Sequence, residues 1–251
     1  MTGPAIRAFA DLDGGAVFVP YSKLHLVSIV AAMTTVAAVA LLGRALRSKD
    51  AEANLRRAIA IFAACYFVAY NVWWNWKGID VARGLPLQIC DLNGMVAPLA
   101  LWTGNRWARA TLYFWTFALT LQAFIQPLLT AGPASPIFWT FWTAHTIVMI
   151  CAVYDVVVLR FRPDWRDLCR AVAVSMLYLA IILPVDLWLG ANYGFVGNPP
   201  PARRLPPFVA ALGPWPGRVF ILVALVALAF IMLLVPWRFH QDRERHRLWT
   251  G

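Results

Sequence analysis

The chain has 251 residues, of which 61% are hydrophobic and 14% charged, and it carries a net charge of +10. So little polar surface cannot coat a water-soluble globule of this length, which excludes a soluble domain and predicts an exterior that faces lipid. The surplus cations sit between apolar runs, where they act as a topological signal and an attraction to anionic headgroups rather than as a nucleic-acid footprint.

The first twenty residues hold Asp11, Asp13 and a Gly-Gly pair and lack the apolar core of a removable signal peptide, so the first apolar run is expected to insert as an uncleaved anchor. Seven runs follow, at residues 24–42, 58–74, 85–102, 108–129, 137–158, 171–189 and 215–237. Each is near the roughly 20 helical residues that cross a hydrocarbon core of about 30 Å. Helices are required because every backbone N–H and C=O must be satisfied within its own segment in lipid. The predicted fold is an all-α membrane bundle of seven crossings and one domain, 1–251. The third run is the least regular, with Gln88, Asp91, Asn93 and Pro98 inside it. Between the sixth and seventh runs, residues 192–208 are too rich in proline for a helix interior and are expected to pack as a lid or rim. Residues 212–217 read as the entry to the seventh run, with Pro216 in its first turn.

Lys and Arg divide unevenly between alternate connections, fifteen on one side and seven on the other. By the positive-inside rule the N-terminus is expected outside and the C-terminus in the cytoplasm. Trp73, Trp74, Trp76, Trp102, Trp215 and Trp237 fall at run ends and are expected to anchor at the interface, whereas Trp139 and Trp142 are placed to line a cavity. Near the inner end of the fifth run, Asp155 is expected to pair with Arg160.

Polar groups inside the membrane are expensive, so each is a functional candidate. At 1.5 Å per residue, Cys90 lies about 8 Å below the outer boundary and His145 about 12 Å. Gln126 and Gln122 sit near the outer end of the fourth run, His25 opens the first, and Asp186, Asn192 and Tyr193 close the sixth. These residues converge in depth. The four cysteines have neither zinc spacing nor a disulfide pattern, and Cys65, Cys151 and Cys169 read as small buried hydrophobes. Cys90 differs, because a histidine at similar depth can take its proton, and Cys90 with His145 forms a candidate dyad.

The succession LPLQICDL at 85–92, ALTLQAFIQP at 118–127, FWTFWTAHTIVM at 138–149, NYGFVGNPP at 192–200 and LGPWP at 212–216, preceded by YSKLH at 21–25, resembles the YwaF-type bacterial integral membrane proteins. These are relatives of the eukaryotic acyltransferase called transmembrane protein 164. The resemblance implies an acyltransferase with Cys90 as nucleophile, His145 as acid and base, and phospholipids and lysophospholipids as donor and acceptor. Gln88 stands where bacterial members carry histidine, which leaves the third catalytic partner open.

In that chemistry the Cys90 thiolate attacks a phospholipid ester, leaves a thioester, and passes the acyl chain to a second lipid or, in a lipase side activity, to water. Gln122, Gln126 and Asn192 are the candidate oxyanion donors, and Arg203 and Arg204 are candidate phosphate holders. His25, Tyr193, Gln88 and Asp91 are candidates for support, Asp91 pointing about 100° away from Cys90 around the helix. No cofactor, metal or nucleic-acid partner is expected. The rival reading is a transporter, scramblase or receptor-like lipid-binding bundle, which calls for a polar path through the membrane.

Overall fold

The computed structural model describes residues 17–47, 50–76, 78, 80–82, 84–200 and 205–249, with side chains as far as Trp237. All seven apolar runs fold as helices. In chain order they are α1 (Lys23–Leu46), α2 (Asp50–Asn75), α3 (Ile89–Thr103), α4 (Arg106–Trp115) and α6 (Pro136–Val157), then α7 (Trp165–Leu189) and α9 (Gly217–Trp249). A π-helical segment, Thr116–Thr120, joins α4 to the short α5 (Gln122–Ile125), and α8 (Pro207–Ala210) precedes α9. Among the described residues the only β pairing is an isolated bridge between Val17 and Ala131.

Five helices are long and apolar enough to cross a membrane alone: α1, α2, α6, α7 and the first 21 residues of α9. The protein is therefore an integral membrane protein. The two remaining runs are shorter than expected. α3 has 15 residues, a rise of about 22 Å, because Leu85–Gln88 is not helical. Leu85 precedes Pro86 and is biased away from the helical region, and Gln88 is extended at φ −65°, ψ 147°. The α4–α5 unit stops at Ile125, since Gln126 precedes Pro127 and adopts φ −136°, ψ 74°.

Local chemistry sets the other boundaries. Ser22 caps α1 by accepting from the His25 N–H, Asn105 caps α4 by accepting from Trp107 and Ala108, and Ser135 with Pro136 starts α6. Asp164 and Asp167 form a reciprocal capping box that carries the start of α7 back to Trp165, earlier than hydropathy alone indicates. Gly104 and Gly190 end α3 and α7 in the left-handed region.

Small residues let the helices approach. Ala60, Ala63, Ala97 and Ala100 are buried where α2, α3 and α6 meet, and a Cβ on Gly43 of α1 would stand 2.5 Å from Tyr154 of α6. Close packing of this kind replaces the hydrophobic drive that lipid does not supply. On the other side, Phe114, Leu168 and Phe230 join α4, α7 and α9.

The end of the bundle at the α4 N-terminus is knit by charge. Asp167, fully buried, accepts from Arg106 at 2.6 and 2.8 Å and from Arg170 at 2.6 Å. Asp155 pairs with Arg109 at 2.8 Å and not with Arg160. Arg160 lies beyond the helix end with φ 56° and is exposed, whereas Arg109 faces Asp155 from α4.

Candidate active site

Cys90 is the second residue of α3, and the first intrahelical bond there runs from the Leu92 N–H to the Gln88 carbonyl at 3.0 Å. The N–H groups of Ile89, Cys90 and Asp91 therefore precede the hydrogen-bonded ladder and present the positive end of the helix dipole beside the sulfur. The Gln88 side chain does not cap them. Its Oε1 instead accepts from the Gly194 N–H at 3.0 Å. Asp91 supplies half of a capping box, with its carboxylate on the Gln88 backbone N–H.

His145 lies on α6, where Nδ1 bonds the Phe141 carbonyl at 2.7 Å and the ring packs against Phe141 with centroids 4.3 Å apart. A carbonyl only accepts, so Nδ1 carries the proton and Nε2 is left as the basic nitrogen. Nε2 has no partner among the described residues.

Cys90, Asp91 and His145 line one cavity of about 470 Å³, together with Gln88, Gln122 and Gln126. Helices α3, α5 and α6, which sequence places only by depth, thus meet laterally. On the cavity's far side α7 and α9 form an apolar slot with Val172, Met176, Leu179, Leu222, Val226 and Phe230. The eight steps from Leu222 to Phe230 give it a length of about 12 Å.

The connection after α7, expected as a lid or rim, contributes Gly194, Phe195 and Val196 to the cavity lining, and Phe208 of α8 joins them. Gly194 has φ +60°, and a Cβ there would stand 2.6 Å from the Tyr178 hydroxyl, which donates to the Leu87 carbonyl at 2.9 Å. Only glycine meets both demands.

Three candidates lie outside the cavity lining. Tyr193 is buried, with its hydroxyl donating to the Val81 carbonyl at 2.9 Å and accepting from the Leu85 N–H at 3.2 Å, so it pins the approach to α3. Asn192 precedes this turn, and its buried Oδ1 has no hydrogen-bond partner. His25 bonds the Phe124 carbonyl through Nε2 at 2.9 Å and accepts the Tyr21 N–H at Nδ1, fixing α1 to α5. Phe124 in turn sits edge-on to the His145 ring, 6.2 Å between centroids, so His25 supports the site from behind. Trp142 packs against His25 and Phe18 and also stays out of the cavity, whereas Trp74, expected only as an anchor, lines it. Arg203 and Arg204 lie outside the described residues.

Two contributors have no sequence signature. The Thr120 hydroxyl is a hydrogen-bond partner of the Cys90 thiol, and its oxygen accepts from Asn93 Nδ2 at 3.1 Å. Asn93, fully buried, also donates to Thr116 at 3.0 Å. Because Thr120 already accepts from Asn93, its O–H is free to donate to sulfur. The π-helical segment turns both threonines toward α3, and such segments recur at functional sites. Tyr70 of α2 lines the cavity beside Asp91 and Cys90. The arrangement offers a nucleophile, a base, donors for an oxyanion and an apolar slot within one cavity.

A protein-family model described as the TMEM164 family matches residues 20–235. No curated protein and no solved structure matches the chain.

Proposed function

The chain belongs to the TMEM164 family, and from that premise we propose that it is a membrane-embedded lipid acyltransferase acting through a Cys90 thioester. The observation that carries this reading is that Cys90 and His145, from separate helices, line one cavity in which His145 keeps Nε2 free. His145 Nε2 takes the thiol proton and the thiolate attacks the ester carbonyl of a phospholipid. The tetrahedral oxyanion accepts hydrogen bonds from the free N–H groups at the α3 N-terminus, with Gln122 or Gln126 as a further donor. On collapse the C–O bond breaks, the lysolipid oxygen receives the proton from His145, and the acyl group stays on sulfur. The apolar slot between α7 and α9 fits the departing chain's methylenes, which favour such a surface over a polar one.

The same proposal gives the bundle seven crossings, with α3 and the α4–α5 unit as the two shorter ones, and the N-terminus outside. Fifteen of 22 Lys and Arg then lie on the cytoplasmic side, and the cavity opens in the outer leaflet of a bacterial inner membrane near the level of lipid ester carbonyls. Membrane phospholipids and lysophospholipids are the partners.

The test is intact-mass measurement of purified protein incubated with a defined diacylphospholipid. Wild type is expected to gain one hydroxylamine-labile acyl mass, Cys90→Ala none, and His145→Ala an adduct formed about 100-fold to 10,000-fold more slowly. An absent adduct, together with acyl exchange between lipids that is insensitive to both substitutions, would return the chain to a lipid-binding or transport role.

A further inference from the structure

A second cavity, of about 210 Å³, lies on the other side of the dyad between α2, α3 and α6. It shares Tyr70, Trp74, Asp91, Leu128, Phe141, Cys90 and His145 with the larger one, so the thiol and the imidazole stand where the two spaces meet. The rest of its lining is different. Tyr66 and Phe67 come from α2, Gly94 from α3, and Thr140 and Ala144 from α6, none of which borders the larger cavity.

We propose that this smaller cavity is the acyl-acceptor site, and that it admits the hydroxyl-bearing portion of a single-chain lipid while the donor occupies the larger cavity. The inference rests on the acyltransferase reading and adds to it the place of the second substrate. Size is the first argument. The larger space falls within the roughly 300–1,000 Å³ usual for ligand sites and the smaller falls below it, so it takes part of a lipid and not a diacyl molecule. Chemistry is the second. Tyr66, whose hydroxyl donates to the Thr140 carbonyl at 3.3 Å, joins Tyr70 and Thr140 in giving the wall hydroxyl groups. Neither cavity has a Lys or Arg among its described lining residues, so a phosphate stays outside and an uncharged hydroxyl enters. Exposure is the third argument. Ile137, which borders only this space, and Trp74, which borders both, are 38% and 40% exposed, and a side entrance between α2 and α6 would let the lipid's own chain remain in the bilayer.

Two approaches to one sulfur suit a transfer in two halves. The donor leaves its acyl group on Cys90 from one side, and the acceptor hydroxyl reaches the thioester from the other. His145 Nε2 takes the hydroxyl proton, the oxygen bonds the acyl carbon, the C–S bond breaks, and the proton passes to the Cys90 thiolate, which restores the thiol.

Variants that fill one cavity separate the halves. Ala144→Leu and Gly94→Ala narrow only the smaller space, and the Cβ of the latter would stand 3.1 Å from Phe67 Cδ2. Ala227→Phe, on α9, narrows only the larger one. Each purified full-length variant is loaded with a diacylphospholipid and chased with a lysophospholipid, with protein mass and lipid product followed together. Ala144→Leu is expected to slow discharge by lysophospholipid about 10-fold to 100-fold, since displacement of about 1 Å has effects of that size, while the thioester still forms. Gly94→Ala should show the same pattern more weakly, and Ala227→Phe should slow thioester formation instead. Discharge at the wild-type rate in Ala144→Leu, or formation and discharge slowed alike in Ala144→Leu and Gly94→Ala, would overturn the acceptor site while leaving the thioester mechanism standing. Failure of wild type to form any thioester would instead remove the acyltransferase reading and this inference with it.

Discussion

At the α4 N-terminal end of the bundle, Asp155 and Asp167 are met by Arg106, Arg109 and Arg170 at 2.6–2.9 Å, and these contacts tie α4 to α6 and α7. Elsewhere in the bundle, His145 and the first residues of α3 line a cavity, and Asp91 has no ion-pair partner among the described residues. Both regions place polar groups in an apolar bundle. Where such groups satisfy one another they fix helix positions; where they are held in place yet keep a free valence, they are available to a ligand. The holding at the cavity end is done by backbone groups of two lining residues, the Phe141 carbonyl and the Gly194 N–H, and by Asn93, which does not line the cavity.

Breaking the paired end should cost stability. Asp155→Ala leaves Arg109 without its partner in a largely buried position, and a loss of about 3–5 kcal/mol is expected in denaturant unfolding in detergent. His145→Ala, at the open end, should cost about 1 kcal/mol or less while suppressing the adduct. Equal losses from the two substitutions would erase the distinction between the regions.

A finer test removes one holding atom from the cavity end. Thr120→Val withdraws the donor to Cys90, and a hydrogen bond to a charged group contributes about 1.5–3 kcal/mol, so thioester formation should slow by roughly 10-fold to 100-fold. Thr120→Ser keeps the hydroxyl and should keep most of the rate, measured by the same mass assay. The smallest effect belongs to Gln88→Ala, which releases the Gly194 N–H and should cost about 0.5–1.5 kcal/mol of stability, with faster hydrogen exchange at Gly194. Unchanged exchange there would mean that the rim is held without Gln88.

Several parts of the site were legible in the chain. Cys90, Asp91, His145, Gln88, Gln122 and Gln126 line the cavity, and the connection after α7 adds Gly194, Phe195 and Val196 to it. Tyr193 and Asn192 were legible only as polar groups at the right depth. That Tyr193 turns its hydroxyl onto Val81 and Leu85 depends on how residues 81–88 lie against the turn after α7, and no local pattern encodes that. Asp155 shows the same limit. Arg160 is nearer in sequence, but the helix end carries it away, and the partner comes from α4.

Composition and run length by themselves determined that this chain is a helical membrane protein, and the 1.5 Å rise per residue gave an expected depth for each polar group. Both are sums along a single segment, so no second segment is needed to evaluate them. Tertiary structure decided which faces meet, because lipid is as apolar as the helices and gives no one face a hydrophobic reason to turn inward. Packing of small residues and a few interhelical hydrogen bonds chose the rotation of each helix. That choice brought Cys90 and His145 to one cavity, left the basic nitrogen of His145 without a partner among the described residues, turned Thr120 to the thiol through a π-helical segment, and opened a second space beside the pair.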